Sequence, residues 1–462
     1  MKEFHFIEAA SPGAHVFSAY PIPRLGTLIL AAMLKARGYK TKVHIEDVAR
    51  PDWKALDRAD IVGISAITPT AMRAYRLADR YRAKGKVVVM GGPHVTFMPD
   101  EALAHADYVV RGEGEETLPE LMDALEGRLS FYRIKGLSWH GPAGNRHNPD
   151  RELVTDLDVH PAPDFSLVHG WRDRGVVPVA TSRGCPFDCK FCSVIRMFGR
   201  KYRFKSVDRV LDELGALPSS NPFVFFVDDN FTANRERTKE LLRRMMDEGL
   251  KFEWSAQVRS DTARDPELLR LMKSSDCHTV YIGLESINPA TLKAFNKAQG
   301  LADMDAAVRA FKANGIKMHG MFVVGSDTDD VHTIRGTEQY ARRMGLESVQ
   351  FMMLTPLPGT PVYEEMKQQG RLLHTDWSRY DAQHVVFRPR SMTPWEFQRE
   401  TLKAMARFYS WRTILRRFAR LKVHEVKLGL YGKYAVRSAF REGERYLKEM
   451  AASMNMHAAG RF

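Results

Sequence analysis

Short apolar runs that alternate with helical patterns limit the possible folds of this 462-residue chain more than any other feature. Up to about residue 130, one amphipathic helical stretch is followed by four strand-like runs, TKVHIED, DIVGISA, KVVVMGG and ADYVVRGEGE. This rhythm is typical of a parallel sheet whose strands are joined by helices. It predicts an α/β fold that begins with a Rossmann-like, doubly wound domain.

A second alternation follows and is more regular. Its six strand candidates are VPVATSRGCPFDC, FVFFVDDNFTAN, FEWSAQVRSD, HTVYIGLES, GIKMHGMFVVG and SVQFMMLTPLPGTPVY, with amphipathic helices between them. Six strand–helix repeats predict a partial TIM-like (β/α)6 barrel with its reactive groups at the carboxyl ends of the strands. The predicted units are a first domain at 1–135, a turn-rich linker with a small hairpin at 136–172, the barrel at 173–370, and a largely helical region at 371–462.

Three of the four cysteines stand within SRGCPFDCKFCS, as Cys185, Cys189 and Cys192. A structural zinc site takes four protein ligands, and Cys277 stands alone far along the chain, so the trio is incomplete for zinc. A 4Fe-4S cluster held by three thiolates would instead keep one iron open for chemistry. Disulfides are not expected because the chain shows no secretory leader and no second cysteine pair. The thiols therefore indicate a reducing, cytoplasmic location.

The spacing C-x3-C-x2-C, with the aromatic Phe191 before the last cysteine, resembles the signature of the radical S-adenosylmethionine superfamily. The resemblance implies that S-adenosylmethionine chelates the open iron. It also implies that an electron from the cluster cleaves the sulfonium to a 5′-deoxyadenosyl radical. Such chemistry requires an electron donor such as flavodoxin or ferredoxin.

The strand ends after the cysteines carry further resemblances to that superfamily. FVDDNF places Asp228 and Asp229 near the methionyl amine, GLES places Glu285 at the ribose, and FVVG places Gly325 beside the adenine. Arg259 is a candidate for the carboxylate, as a charge-assisted fork. The alternative for each acid is a helix cap or a solvated loop charge, above all for Asp229, which precedes the helical pattern NRERTKELL.

Three strands of the first domain end in small or glycine-rich loops, where open α/β sheets bind their ligands. Together DIVGISAITPTAMRAYRLAD, VVMGGPHVTFMPDEAL and DYVVRGEGEETLPEL resemble a cobalamin-binding domain. The implied cobalamin contacts are Ser65, Ala66, Thr68, Gly91, Gly92, Pro93, His94, Gly112, Glu113 and Gly114. The motif D-x-H-x-x-G is absent, which leaves the lower face of cobalt unassigned. A Rossmann-like domain that binds nothing is the alternative.

These features predict a radical S-adenosylmethionine enzyme with one 4Fe-4S cluster and cobalamin, acting on a small molecule. By the family resemblance, C-methylation of an unactivated carbon is the first expectation, and a radical rearrangement or cyclisation is the second. No second cysteine trio is present, which disfavours sulfur insertion. The alternatives are a cobalamin- or cluster-binding sensor without turnover and a radical enzyme that uses no cobalamin.

The formal net charge of +13 is concentrated in one segment. Residues 411–441 hold nine Lys or Arg and one acid, Glu425, and begin as an amphipathic basic helix. One interpretation is a helix packed on the barrel with a solvated basic face. Another is peripheral contact with the inner face of a membrane, which would suit a lipophilic substrate. An arm that binds nucleic acid is a third and weaker interpretation, because the rest of the chain is only mildly basic. The sequence contains no run of eighteen apolar residues, the length needed to span a bilayer.

Overall fold

The computed structural model describes residues 2–11, 13, 22–171, 176–217, 222–419 and 421–459. The N-terminal domain is built on one sheet, in the spatial order β2-β1-β3-β4-β5-β6-β7. Its strands are β1 (Glu3–Glu8), β2 (Lys40–Ile45), β3 (Ile61–Ser65), β4 (Val87–Gly91), β5 (Tyr108–Val110), β6 (Leu137–Gly141) and β7 (Gly144–His147). Its helices are α1 (Leu25–Ala36), α2 (Trp53–Arg58), α3 (Ala71–Arg82), α4 (Pro93–Phe97), α5 (Pro99–Leu103) and α6 (Gly114–Leu125).

Strands β1 to β5 are parallel, and four of them match the sequence prediction. Sequence reasoning missed β1, although it lies between β2 and β3. Phe4 and Ile7, on opposite faces of β1, are both buried, so no polar alternation marks the strand. The hairpin predicted within 136–172 is present as β6 and β7, and it pairs antiparallel with β5. The N-terminal sheet therefore continues past residue 135.

A six-stranded parallel sheet forms the second domain, and each of its predicted strands is present. In spatial order they are β15, β14, β13, β12, β11 and β8. The strands of this domain are β8 (Val176–Val179), β9 (Ser182–Arg183), β10 (Arg203–Phe204), β11 (Phe223–Phe226), β12 (Trp254–Val258), β13 (Cys277–Glu285), β14 (Lys317–Val324) and β15 (Ser348–Met353), of which β9 and β10 form a separate antiparallel pair. Its helices are α7 (Val194–Phe198), α8 (Val207–Gly215), α9 (Arg235–Asp247), α10 (Pro266–Ser274), α11 (Pro289–Ala294), α12 (Leu301–Ala313) and α13 (Val331–Met344).

The register of this sheet brings the predicted site residues to one end. Val179 of β8 pairs with Phe226 of β11, and Phe226 pairs in turn with Ala256 of β12. Asp228 and Asp229 thus begin two residues after the paired segment, beside the chain that leads into the cysteines. Consecutive parallel strands end at the same edge of the sheet, so the loops after β8, β11, β12, β13 and β14 all open there.

The C-terminal region covers the open edge of the barrel and braces the first domain. It consists of α14 (Pro361–Gln368), α15 (Pro394–Phe408), α16 (Trp411–Ala419) and α17 (Val423–Ala459). The Tyr409 hydroxyl donates to the Val349 carbonyl oxygen at 2.9 Å and accepts from the Val349 N–H at 3.0 Å, which satisfies the edge strand β15. Trp377 packs in the N-terminal core and donates its indole N–H to Glu101 at 2.8 Å. No helix in the described ranges is long and apolar enough to cross a bilayer.

Candidate active site

The cysteine loop follows β9 and holds all three predicted cluster ligands. Cys189 is buried, whereas Cys185 and Cys192 are half-buried. The Cys192 N–H donates to the Cys189 carbonyl oxygen at 3.0 Å, and the Cys185 N–H donates to the Gly199 carbonyl oxygen at 3.2 Å. Burial raises the pKa of Cys189 and raises that of Cys192 to about 12. These two thiols are therefore neutral unless a metal compensates the thiolate charge.

The donor set fits an iron–sulfur cube better than a single metal ion. No three His, Cys, Asp or Glu side chains of the described residues are grouped closely enough to hold one ion. A 4Fe-4S cube has four irons, and three of them would each bind one thiolate, so the thiolates stand further apart than the ligands of one ion do. Cys277 is buried at the start of β13, at the opposite end of the strands from this loop. It is a core residue, as expected.

Asp228 lies beneath the cysteine loop and binds the chain that leads into it. Its carboxylate accepts hydrogen bonds from the Thr181 N–H at 3.1 Å and the Thr181 hydroxyl at 3.0 Å, and also from the Ser182 hydroxyl. Burial raises the pKa of Asp228, while these hydrogen bonds oppose the shift. The bonds fix the segment three and four residues before Cys185. The structure therefore gives Asp228 a positioning contact with the loop.

Asp229 is not the helix cap that the sequence allowed, and its side chain is exposed at the wall of a cavity. Helix α9 is capped by Asn234, whose side chain accepts from the Arg237 N–H at 3.2 Å. Asp229 faces a cavity next to the cysteine loop. The surrounding protein, together with the neighbouring Asp228, raises the pKa of Asp229 to about 7. The shift is largest in a dry cavity, because water that reaches the carboxyl would restore part of its solvation.

Arg259 follows β12 and stacks on the cysteine loop. Its guanidinium carbon lies 3.6 Å from the ring centroid of Phe187, which stands between the first two cysteines. The Nε–H group is buried and has no hydrogen-bond partner among the described residues, since the Asp261 carboxylate is 3.7 Å away. A buried donor without a partner is costly, so this group fits an acceptor that is bound here, such as a carboxylate.

Glu285 ends β13 in a strained conformation. Its φ is 59°, a left-handed value that is uncommon outside glycine, and the β13–β14 register shifts at this point. The buried carboxylate accepts from the Lys297 ammonium at 2.8 Å. Strain of this kind persists only where surrounding contacts fix it, and it is concentrated at functional sites. Sequence reasoning missed Lys297, which has no local motif.

Gly325, at the end of β14, is explained by its own packing. It has φ 102°, and a Cβ at this position would collide with the ring of Phe397 on α15. The N–H groups of Gly325 and Ser326 donate to the buried Asp329 carboxylate at 3.0 and 3.1 Å. The glycine is thus required by an intramolecular contact, whether or not a ligand also approaches it.

The cavity beside Asp229 has a volume of about 490 Å³ and joins the two domains. On the N-terminal side it is lined by seven of the ten predicted loop residues, namely Ser65, Gly91, Gly92, Pro93, Gly112, Glu113 and Gly114. On the barrel side it is lined by Asp229 and by Ser182 and Arg183 of β9, the strand that leads into the cysteine loop. It extends between the sheet and α1, where Phe4 and Phe6 form part of its wall.

The glycine loops leave space that side chains would fill. Gly92 has φ 102°, and a Cβ at this position would lie 2.6 Å from the Ala66 carbonyl oxygen. Gly112 has φ 71°, and a Cβ there would meet no atom within 4 Å. Gly92 is thus required by close packing of its own loop on Ala66, whereas the backbone at Gly112 is open and a large ligand can approach it closely. This arrangement fits the nucleotide tail of a cobalamin.

Comparison with known proteins accounts for both halves of this site. Residues 179–335 match the radical SAM superfamily, and residues 16–122 match the B12 binding domain. An uncharacterised methyltransferase of Pyrococcus horikoshii is 34% identical over 405 residues, which cover 84% of this chain and 88% of that protein. Bacteriochlorophyllide d C-12(1)-methyltransferase of Chlorobaculum tepidum is 31% identical over 369 residues, or 78% and 76% of the two chains.

The chain belongs to the cobalamin-dependent radical S-adenosylmethionine enzymes. The solved structure of OxsB with aqua-cobalamin, described as a cobalamin-dependent S-adenosylmethionine radical enzyme, shares the fold. Its TM-score is 0.72 at 17% identity, and the match covers 99% of this chain and 76% of that one. The 4Fe-4S cluster, S-adenosylmethionine and cobalamin are therefore the cofactors of this family member.

Three of the predicted cobalamin contacts do not line the cavity, namely Ala66, Thr68 and His94. Ala66 is buried and its N–H donates to the Gly91 carbonyl oxygen at 2.9 Å, so it ties two of the loops together. His94 is fully buried, with ring nitrogens 3.3 Å from the Thr68 hydroxyl and 3.4 Å from Glu101. These residues support the loops from behind. They stand in or beside the predicted loops, but the direction of each side chain depends on packing.

An ion-pair cluster between the two domains of the enzyme was not predicted. Glu113 accepts from Arg183 at 3.1 Å and from Arg203 at 2.8 and 2.7 Å, while Arg183 also donates to Glu115 at 2.6 Å. Arg183 stands two residues before Cys185. The cobalamin cavity and the cluster loop are thus joined by buried charges. The acidic pair in RGEGEE was visible in the sequence, but nothing there identified its partners.

Tyr202 and Asn230 form a second unpredicted group at the cluster loop. The Tyr202 hydroxyl lies 3.9 Å from the Cys185 sulfur, and the Asn230 amide donates to that hydroxyl at 3.3 Å. Burial raises the pKa of Tyr202, so its hydroxyl stays protonated and able to donate to sulfur. Hydrogen bonds to cluster sulfurs are one means by which a protein tunes reduction potential.

Proposed function

We propose that the enzyme transfers a methyl group to an unactivated carbon of a lipophilic small molecule. The observation that carries the proposal is one cavity with the cobalamin loops on one wall and, on the other, Asp229 and the strand β9 that leads into the cysteine loop. The relative from Chlorobaculum tepidum, a bacteriochlorophyllide methyltransferase, supports both methyl transfer and a large apolar substrate. A radical rearrangement or cyclisation is the alternative outcome for the same site.

The proposed roles divide the predicted residues by what surrounds them. Cys185, Cys189 and Cys192 would hold the cluster, whose reduced form supplies the electron that cleaves S-adenosylmethionine, while cobalamin carries the methyl group. Arg259 would bind the methionyl carboxylate of S-adenosylmethionine through its Nε–H, which has no hydrogen-bond partner among the described residues. Asp229 would accept from the methionyl amine.

The remaining predicted residues would either contact S-adenosylmethionine or position the cysteine loop. Glu285 would accept from the ribose hydroxyls, with its carboxylate held by Lys297. Asp228 would position the cysteine loop through Thr181 and Ser182 without touching S-adenosylmethionine. Gly325 would lie beside the adenine, and its lack of a side chain also accommodates Phe397.

The glycine loops would hold the nucleotide tail of cobalamin. Ser65, Gly91, Gly92, Gly112 and Gly114 offer backbone groups at the cavity wall. The carboxylate of Glu113 is already bound by two arginines, so its contribution is to fix the loop. The apolar extension lined by Phe4 and Phe6 would take the base of the tail, because aromatic rings stack on heterocycles.

The test is anaerobic turnover with S-adenosylmethionine that carries a deuterated methyl group. The reduced, reconstituted enzyme is incubated with a lipid extract, and 5′-deoxyadenosine, S-adenosylhomocysteine and new labelled masses are measured. Methylation predicts both nucleoside products and a labelled lipid. Product masses without label would favour cyclisation or rearrangement. Absence of both nucleoside products would contradict turnover and favour a sensor.

A matched pair of variants tests the residue roles. Asp229→Asn should raise the KM for S-adenosylmethionine while the iron content stays unchanged. Asp247→Asn removes an exposed acid at the end of α9, outside the cavity lining, and it serves as the control. Equal kinetics of both variants and the wild type would contradict the contact assigned to Asp229.

We also propose the partners of the enzyme. A reduced flavodoxin or ferredoxin would deliver the electron in the cytoplasm. A membrane would be contacted peripherally, through residues 411–441, from its inner face. The charge of that segment supports the contact, since its exposed basic residues complement anionic headgroups.

A further inference from the structure

Helix α16 exposes its apolar residues, contrary to the usual arrangement. A surface helix normally turns its apolar stripe towards the core. Here Trp411, Leu415 and Phe418 are 56%, 62% and 67% exposed. The side chains that α16 buries are Ile414 and Arg417. A stripe of large apolar side chains in solvent indicates a surface that something else covers.

The orientation of α16 is fixed by the side chains that it buries. The Arg417 guanidinium donates to the Leu346 carbonyl oxygen at 3.0 Å and lies 3.4 Å from the Glu425 carboxylate. Ile414 packs on Gly429 of α17, where a Cβ would lie 2.9 Å from Ile414 Cγ1. A rotation of the helix that hid the apolar stripe would break the buried arginine contacts. The exposure is therefore built into the packing.

The turn between α16 and α17 extends the exposed apolar surface. Leu421 is 86% exposed and has φ 56°, a left-handed conformation that is uncommon for leucine. Its N–H donates to the Phe418 carbonyl oxygen at 2.9 Å, so the turn ends α16 while the leucine projects outwards. Val423, at the start of α17, is also exposed. We call Trp411, Leu415, Phe418, Leu421 and Val423 the apolar crown.

Basic side chains lie on the same two helices as the apolar crown. Arg412 and Arg416 on α16, and Lys427 and Arg437 on α17, are exposed. The Lys433 ammonium lies 5.2 Å from the Trp411 ring centroid, which joins the two helices at the surface. The single acid, Glu425, is bound by Arg417 and Lys422. Arg420 belongs to the same segment but lies outside the described residues. The exposed charge of the surface is therefore positive.

The apolar crown lies at the opposite end of the barrel from the cavity. Arg417 contacts Leu346, just before β15, and the His424 ring lies 5.1 Å from that of His278, near the start of β13. Both contacts are at the amino ends of the strands. The site residue Glu285 ends β13 at its carboxyl end, about 23 Å away at about 3.3 Å per residue.

We propose that the apolar crown docks the enzyme on an anionic lipid bilayer with its active-site cavity directed away from the membrane surface. A bilayer accepts projecting apolar side chains without a matching shape, tryptophan suits its interface, and basic residues attract its anionic headgroups. The proposal specifies the surface and orientation of the membrane contact suggested above, and rests on it. In this arrangement the membrane retains the enzyme near its substrate, which must leave the bilayer to reach the cavity.

The test is co-sedimentation of the full-length, cofactor-loaded enzyme with vesicles. The two lipid probes are phosphatidylcholine alone and phosphatidylcholine mixed with phosphatidylserine, each at low and high salt. We expect sedimentation with the mixed vesicles at low salt only, since the charges act through a screened field. Phe418→Ser with Leu421→Ser should weaken this binding about tenfold or more, because both apolar side chains leave the interface.

Two further variants separate the apolar and charged contributions. Arg412→Gln with Arg416→Gln should weaken binding about fivefold for each charge removed. Val159→Ser removes an equally exposed apolar side chain far from the crown and should leave binding unchanged. Thermal melts confirm that each variant is folded.

Three outcomes would overturn the proposal. In the first, the wild-type protein stays in the supernatant with every vesicle. In the second, the Phe418→Ser, Leu421→Ser variant sediments like the wild type. In the third, the wild-type protein binds no vesicles and is a dimer, and the same variant is a monomer. The rate of 5′-deoxyadenosine formation without vesicles should be equal in all variants. A failure of docking therefore leaves the proposed chemistry intact, and a failure of the chemistry leaves the docking result unchanged.

Discussion

Replacement of Glu113 by glutamine tests the joint between the cobalamin domain and the cluster loop. The side chain of Glu113 is 6% exposed and accepts hydrogen bonds from both Arg183 and Arg203. In the variant, Arg183 keeps Glu115 as a partner. Arg203 keeps only the carbonyl oxygens of Val154 and Phe198 among the described residues, so its charge is left without a carboxylate.

The expected loss follows from the burial of that charge. Removal of one partner from a buried ion pair costs about 3–5 kcal/mol. Glutamine retains one oxygen that can still accept from a guanidinium, which favours the lower end, about 3 kcal/mol. The control is Glu116→Gln, on the same helix, because the Glu116 side chain is 49% exposed where it meets Arg151. That change should cost at most about 1 kcal/mol.

The assay is urea unfolding of each variant, followed by tryptophan fluorescence at several pH values. Burial of Glu113 opposes its ionisation, but the hydrogen bonds from Arg203 and the charge of Arg183 outweigh that effect and lower its pKa below 4.5. A carboxylate with a depressed pKa stabilises the fold above its unfolded pKa, and this contribution is lost as the pH falls through the folded pKa. The difference between wild type and variant should therefore be full at neutral pH and shrink below about 4.5.

Two results would refute this reasoning. The first is a Glu113→Gln variant as stable as Glu116→Gln, within about 0.5 kcal/mol, which would mean that the cluster is solvated. The second is a difference between wild type and Glu113→Gln that persists unchanged at acid pH. The loss would then come from packing, since protonation of the wild-type carboxyl should make the two proteins alike.

Three further predictions concern the cofactors. Cys189→Ala should abolish the roughly four irons of a reconstituted cluster, whereas Cys277→Ala should leave iron unchanged; equal losses would mean that the ligands are misassigned. Gly92→Ala should reduce cobalamin retained through gel filtration, because its Cβ would approach the Ala66 carbonyl oxygen, whereas Gly85→Ala has open space at a similar φ and should retain it; equal retention would contradict the cavity assignment. Lys297→Met should raise the KM for S-adenosylmethionine with iron content intact, and an unchanged KM would show that its carboxylate partner needs no support.

The sequence alone determined the cysteine loop and the six strands of the barrel domain. The three cysteines lie within eight positions, so their meeting depends on one short loop. The six barrel strands were predicted because each is a compact apolar run between amphipathic helices, a pattern set by local spacing. The placement of Asp229, Arg259 and Glu285 at one edge followed from parallel topology, which needs no knowledge of side-chain packing.

Only the tertiary structure separated residues that are adjacent or alike in the sequence. Asp228 and Asp229 are neighbours, yet one binds the chain beneath the cysteine loop and the other faces the cavity, because successive residues after a strand point in different directions. The partners of Glu113 stand 70 and 90 positions away, and no local pattern encodes such contacts.

Helix α16 is a further case in which the sequence did not decide which side chains are buried. Its amphipathic pattern was evident from the sequence, which left open whether the apolar stripe packs on the barrel or contacts a membrane. The structure instead buries Arg417, because carbonyl and carboxylate groups near the start of β15 accept from its guanidinium, and leaves Trp411 and Phe418 in solvent. Periodicity shows that two faces of a helix differ, but the groups on the neighbouring elements decide which face is buried.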